Sequence, residues 1–224
     1  MSEIILIIML LLSLFIIYSL YKMFAKEGIY YSTILLSIIG FVLAFKISPV
    51  LKMDINLSII SFISIMTNMY IYILKYGKKE VNKIIYLTLY GNIMIMLLLI
   101  ITNYFIPTIT ETISINMKDT FEYNYKILFC YPIIVYLSQY ASVKLFSLVS
   151  RIQNNILISI VLTNIITSLI YTVLFLLISY INILSFRDSI FVSVSTYIIG
   201  FLISMIAIPF ILFITGKKVI KWEI

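Results

Sequence analysis

Apolar stretches long enough to cross a bilayer alternate with short polar breaks along this chain. Seven qualify: Ile4–Tyr21, Tyr30–Phe45, Leu57–Leu74, Ile84–Ile106, Ile127–Val149, Ile156–Ile181 and Ile190–Thr215. A helix needs about 20 apolar residues to cross the hydrocarbon core. The second stretch is the shortest and the last two are the longest, which predicts tilt in the long ones. The pattern predicts an all-α fold, a polytopic transmembrane helical bundle of about seven spans, as one membrane domain over residues 1–224. One longer break, Pro107–Lys126, carries Glu111, Lys118, Asp119 and Glu122 and is the candidate extramembrane feature. No linker, low-complexity run or clear internal repeat interrupts the series. The apolar start follows Glu3 rather than a basic region and has no small-residue cleavage site, so it reads as a retained span.

Charge orients the bundle. With the N-terminus outside, one set of breaks holds Lys22, Lys26, Lys75, Lys78, Lys79, Lys83, Arg151, Lys217, Lys218 and Lys221, ten basic residues in all. The opposite set holds four: Lys52, Lys118, Lys126 and Arg187. Cytoplasmic loops carry the Lys/Arg excess, so the expectation is N-out and C-in, in a cytoplasmic membrane. The net charge of +7 then reflects loop composition rather than nucleic-acid binding. Lys46 and Lys144 lie in or near spans. For Lys46 an interfacial anchor is the simpler reading, and Lys144 can snorkel to the interface or face a cavity.

Composition removes most chemistry. There is one cysteine and no histidine, so an internal disulfide is excluded and no zinc, haem or other cofactor is expected. All nine carboxylates fall outside the apolar stretches, and no glycine-rich phosphate loop is present. Acid–base catalysis lacks agents, and the chain reads as a non-enzyme. A membrane serine hydrolase would need a nucleophile beside Lys144. Heavy use of Ile, Tyr, Asn and Lys matches AT-rich coding, so the 18 tyrosines do not by themselves mark an aromatic site. Polar groups at membrane depth remain. Gln139 lies near the middle of the fifth stretch and Asn164 well inside the sixth; each amide offers a donor and an acceptor to another helix or to a ligand. Pro132 and Pro209 each remove a helical hydrogen bond within or near a span.

Local motifs carry a resemblance. Tyr76-Gly77-Lys78-Lys79-Glu80, followed by Lys83-Ile84-Ile85, and the stretch Phe24-Ala25-Lys26-Glu27-Gly28-Ile29-Tyr30 are similar to loops of the VUT family of queuosine precursor transporters. Lys46, Ser138-Gln139 with Phe146, and Asn164 through Tyr171 fall where that family carries a Lys, an SQ element and a sixth-span element. The chain also departs from the pattern. Tyr70, Leu74, Ser142 and Thr167 stand where the family has acids, Lys144 where it has an aromatic or His, and Gly200 where it has a Lys.

The resemblance implies uptake of a 7-deazaguanine such as queuine or preQ1. The small planar substrate would be bound between the third, fifth and sixth spans by Tyr70, Gln139, Ser142, Lys144, Asn164 and Thr167. The partners so implied are that small molecule and the lipid bilayer. The alternative is a membrane subunit without transport of its own, docked through the basic break Lys75–Lys83 or anchored by it on anionic lipid.

Overall fold

In hydrocarbon every backbone N–H and C=O must be paired within the protein, which restricts spanning segments to helices or closed barrels. The computed structural model takes the helical solution and describes residues 2–102, 125–153, 155–180 and 183–216. In chain order the elements are α1 (Ser2–Leu43), β1 (Ile47–Val50), β2 (Met53–Asn56), α2 (Ser58–Tyr76), α3 (Val81–Thr102), α4 (Tyr125–Ile152), α5 (Ile156–Tyr180) and α6 (Phe186–Thr215). All six helices are long and apolar enough to cross a membrane. The architecture is that of a multi-pass membrane protein. All of the Pro107–Lys126 break before Tyr125, the ends of the fourth and sixth stretches at Ile106 and Ile181, and the basic residues from Lys217 onward lie outside the described residues.

The first helix holds two of the expected spans. Its backbone leaves helical geometry at Ala25, where φ is 47° and ψ −115°. A Cβ on Gly28 would lie 1.9 Å from the Leu20 carbonyl oxygen. On a straight helix residues eight apart are about 12 Å from one another, so the chain has turned back on itself. Contacts with α2 confirm the reversal. In the first arm, Ser13 meets Ser64 and Tyr21 meets Lys75, so the arm runs parallel to α2. In the second arm, Lys26 meets Glu80, Tyr30 meets Tyr72 and Ser32 meets Asn68, so it runs antiparallel. Two arms and five further helices give seven passes among the described residues, in agreement with the apolar pattern.

One break departs from the all-α expectation. Ile47–Val50 and Met53–Asn56 pair antiparallel, with Ile47 opposite Asn56 and Val50 opposite Met53. The two linking residues, Leu51 and Lys52, both have positive φ, at 51° and 61°. That is the backbone of the tight hairpin turn whose twist matches paired strands. The Leu51 N–H donates to Glu3 at 3.2 Å, tying the hairpin to the start of the first arm.

Helix α2 is the axis of the bundle. It packs against all five other helices, and every residue from Ser58 to Leu74 is buried. Ser58, Ser61, Ser64 and Thr67 recur every third residue along it. Small side chains at that spacing let neighbouring backbones approach, and packing rather than water exclusion holds helices together in lipid. Gly40 of the second arm shows how close: a Cβ there would lie 2.2 Å from the Tyr131 hydroxyl and 2.8 Å from Ser61 Cβ. The outer faces are apolar, with Leu11, Phe15, Leu98, Ile133, Ile206 and Phe213 all more than half exposed. In water such surfaces drive association, whereas in a bilayer they meet acyl chains.

The same pairings sort the two ends of the bundle. Lys22, Lys26, Lys75, Lys78, Lys79, Lys83 and Arg151 all fall at the end where the first arm turns and α2 passes to α3. The hairpin and the starts of α4 and α6 form the other end. At the basic end, Lys26 pairs with Glu80 at 2.5 Å, and Tyr30 and Tyr72 share a 2.9 Å hydrogen bond beneath them. The two stretches that carry the family resemblance meet there. Gly77, with φ of 83°, ends α2 and donates its N–H to Ile73.

Candidate functional site

Polar side chains inside the bundle gather into two nodes, both of which include residues of α2. The deeper one forms where α2, α4 and α5 meet. The Tyr70 hydroxyl donates to Asn164 Oδ1 at 2.8 Å and lies 3.1 Å from Ser142 Oγ. It also interacts with the Thr167 side chain. The Tyr70 ring leans on Phe146, with centroids 5.1 Å apart. Tyr70, Ser142 and Thr167 are fully buried and Asn164 is 3 % exposed, so the site is closed on all sides. Tyr70 lies six residues from the end of α2, about 9 Å below the helix terminus at 1.5 Å per residue.

Four of the residues singled out in the sequence, Tyr70, Ser142, Asn164 and Thr167, therefore come together. Gln139 lies one helical turn from Ser142 on the same face of α4 and is fully buried. Neither its amide nitrogen nor its amide oxygen has a hydrogen-bond partner, and the Ser138 and Ser168 hydroxyls are equally unpartnered. Tyr131 on Phe175, and Tyr70 bridging Ser142 and Asn164, fix the antiparallel register of α4 and α5. That register sets residues 138–139 level with residues 167–168.

Lys144 does not join the cluster. It is exposed on the outer face of α4, with its ammonium 4.4 Å from the centre of the Tyr140 ring. Two residues along a helix turn the side chain by about 200°, so Lys144 points away from the face that Ser142 presents. Its outward, exposed position does not fit the cavity-facing alternative. Gly200, where the resemblance places a Lys, lies buried against α2. A Cβ there would sit 2.7 Å from Ile59 Cγ1, so no larger side chain fits without displacing Ile59. Leu74 is buried near the basic end of α2 and has no polar group to offer.

The second node was not legible as a site. At the hairpin end, Asn56 Nδ2 donates to the Ala44 carbonyl and to Tyr180 Oη, both at 2.8 Å. Its N–H donates to Thr196 Oγ1 at 3.0 Å, and its Oδ1 accepts from the Ser58 N–H at 3.0 Å and from the Ser58 hydroxyl. Ser58 Oγ also meets Tyr171 Oη at 2.6 Å. One asparagine thus ties the hairpin to α1, α2, α5 and α6. Phe62 stacks on Tyr171 with centroids 4.0 Å apart and rings within 10° of parallel. The Asn56 N–H and both ends of its side-chain amide are satisfied, the mark of a structural joint rather than of a vacant binding site. Asn56-x-Ser58, an amide followed by a hydroxyl at a helix start, was the available signal.

Elsewhere Ser37 and Asn92 exchange hydrogen bonds at 2.8 and 3.0 Å between the second arm and α3. A separate cavity of about 220 Å³ opens at the hairpin end, lined by Ile5, Leu6, Met9, Leu43 and Lys46 among others. Among the described residues no group of three or more His, Cys, Asp or Glu could hold a metal ion. No family model, curated protein or solved structure matches this chain.

Proposed function

We propose that this chain is a membrane transporter that imports a queuosine precursor, a 7-deazaguanine, or a related small planar molecule across the cytoplasmic membrane. The observation that carries this reading is the closed polar node of Tyr70, Ser142, Asn164 and Thr167 in the centre of the bundle. Buried polar groups at membrane depth are costly and mark pathways or sites more often than lipid contacts. The node also falls on three helices, as a carrier site between moving elements would. Tyr70 and Phe146 supply aromatic faces for a flat ring, and the motif resemblance supplies the class of ligand. No residue in the node is ionisable near neutral pH, so the reading is a facilitator without a proton-coupling acid.

The test is queuosine content in tRNA of a bacterium that neither makes the precursors nor imports them, expressing this chain and fed low precursor. Restored queuosine, reduced by Asn164→Ala, supports transport through the node. Protein present in the membrane with no queuosine rejects the ligand class and leaves the non-transporting subunit, for which the basic turn Lys75–Lys83 is the docking candidate.

A further inference from the structure

The unpartnered amide of Gln139 narrows the ligand. A buried amide that bonds to nothing forfeits the hydrogen bonds water would have given it, and hydrocarbon offers no substitute. Gln139 leaves both ends unpaired, beside unpaired hydroxyls of Ser138 and, from the level part of α5, Ser168. Three side chains at one level of the α4–α5 pair thus leave one N–H₂, one C=O and two hydroxyls without partners. The complement of a primary amide is a group bearing an N–H next to a C=O, which closes a ring of two hydrogen bonds.

Charge narrows it further. The described carboxylates Glu3, Glu27, Asp54, Glu80 and Asp188 lie at helix ends, beside the reversal of α1, in the hairpin or in the α2–α3 turn, and Glu80 is already held by Lys26. The ionic groups of α4, Lys126, Lys144 and Arg151, are all positive. A cation entering this closed layer would shed its water and gain no counter-charge.

We infer that the layer around Gln139 binds an uncharged ligand through an adjacent N–H and C=O, as in the lactam edge of a 6-oxopurine-like ring, and selects against cationic analogues. This rests on the transport reading and deepens it: among 7-deazaguanines the site takes those with a neutral 7-substituent and disfavours those with an aminomethyl group, protonated near neutral pH.

The experiment is binding to the purified full chain in nanodiscs, by calorimetry and thermal shift, with two probes. These are 7-cyano-7-deazaguanine, which is neutral, and 7-aminomethyl-7-deazaguanine, which is cationic. The expected result is binding of the cyano compound at least tenfold tighter than of the aminomethyl compound. Gln139→Leu should abolish binding while the ligand-free Tm holds or rises, because the variant removes an amide that bonds to nothing. A purely structural glutamine predicts the reverse, a lower Tm. Equal binding of both probes, or tighter binding of the amine, overturns the inference and leaves the transport reading intact. Binding of neither probe overturns the inference, with water as the occupant of the layer, and leaves the transport reading to the tRNA assay. Unchanged binding by Gln139→Leu removes Gln139 from the site.

Discussion

Replacing Tyr70 by Phe removes one oxygen from the centre of the bundle and leaves the ring in place against Phe146. The lost hydroxyl donates to Asn164 Oδ1 at 2.8 Å and touches Ser142 Oγ at 3.1 Å. Ser142 can turn its hydroxyl back to the preceding helical turn and loses little. Asn164 Oδ1 has no such recourse, so the cost is mainly that of one orphaned acceptor. In a water-soluble core that cost is about 1–3 kcal/mol. In a membrane protein the unfolded reference keeps its helices in apolar surroundings and finds other partners, and measured side-chain hydrogen bonds average about 0.6 kcal/mol with a maximum near 1.7. The smaller scale governs here, and Tyr70→Phe should cost about 1 kcal/mol. The assay is reversible unfolding in mixed micelles with a denaturing detergent, run as a cycle with Asn164→Ala and the double variant. A coupling energy of about 0.5–1.5 kcal/mol is expected. Coupling below about 0.3 kcal/mol, within the range of independent sites, would refute the node as an energetic unit.

Three further outcomes follow from the geometry. Gly28→Ala places a methyl 1.9 Å from the Leu20 carbonyl oxygen and should destabilise the first helical pair by about 3 kcal/mol, seen as a lower midpoint in the same unfolding assay. Ala25→Gly relieves a Cβ at φ 47° and should stabilise by about 1 kcal/mol; a lower midpoint would show that the turn is not strained. Hydrogen bonding to Lys26 holds the Glu80 carboxyl below the usual carboxylate range, and the same bond raises Lys26. The Glu80 contribution is full above the unfolded carboxyl value near about 4.3 and fades as pH falls through the lower folded value. That of Lys26 is full below about 10.4 and fades as pH rises through its raised value. Stability from this pair should therefore be flat between about pH 5 and 10, and Glu80→Gln should remove both limbs.

The spans were legible because hydrophobic length is a strong local signal, and six helices with one reversal fulfil it. The reversal itself was half legible. Lys22, Lys26 and Glu27 mark a polar break, yet the backbone turns within a single residue, Ala25, with helix on either side. The hairpin over Ile47–Asn56 was not legible, because its turn is made by Leu51 and Lys52 instead of the Asn-Gly or Asp-Gly that announces such turns. In the candidate site, Gln139 and Asn164 stood out as amides at depth, whereas Tyr70, Ser142, Thr167 and Lys144 were named through the positions the resemblance matches. Helical phase separates Lys144 from the rest: residues 139, 142 and 146 share a face of α4, and residue 144 lies opposite.

The deeper limit of the sequence reading is that hydropathy ranks a span by its surroundings only when those surroundings are lipid. The two least apolar spans are α2 and α4, and α2 is also the most completely buried. Its serines and Asn68 sit where a water-soluble protein would place leucines, because its neighbours are other helices rather than solvent or acyl chains. α3, far more apolar, is mostly not buried. In this bundle polarity points inward, so the residues most informative about function are those that a hydrophobicity profile scores as weak. An Asn68→Leu substitution on α2 would raise the apparent quality of the span and break the hydrogen bond to Ser32 at 2.8 Å. The profile improves while the packing that holds the second arm loosens.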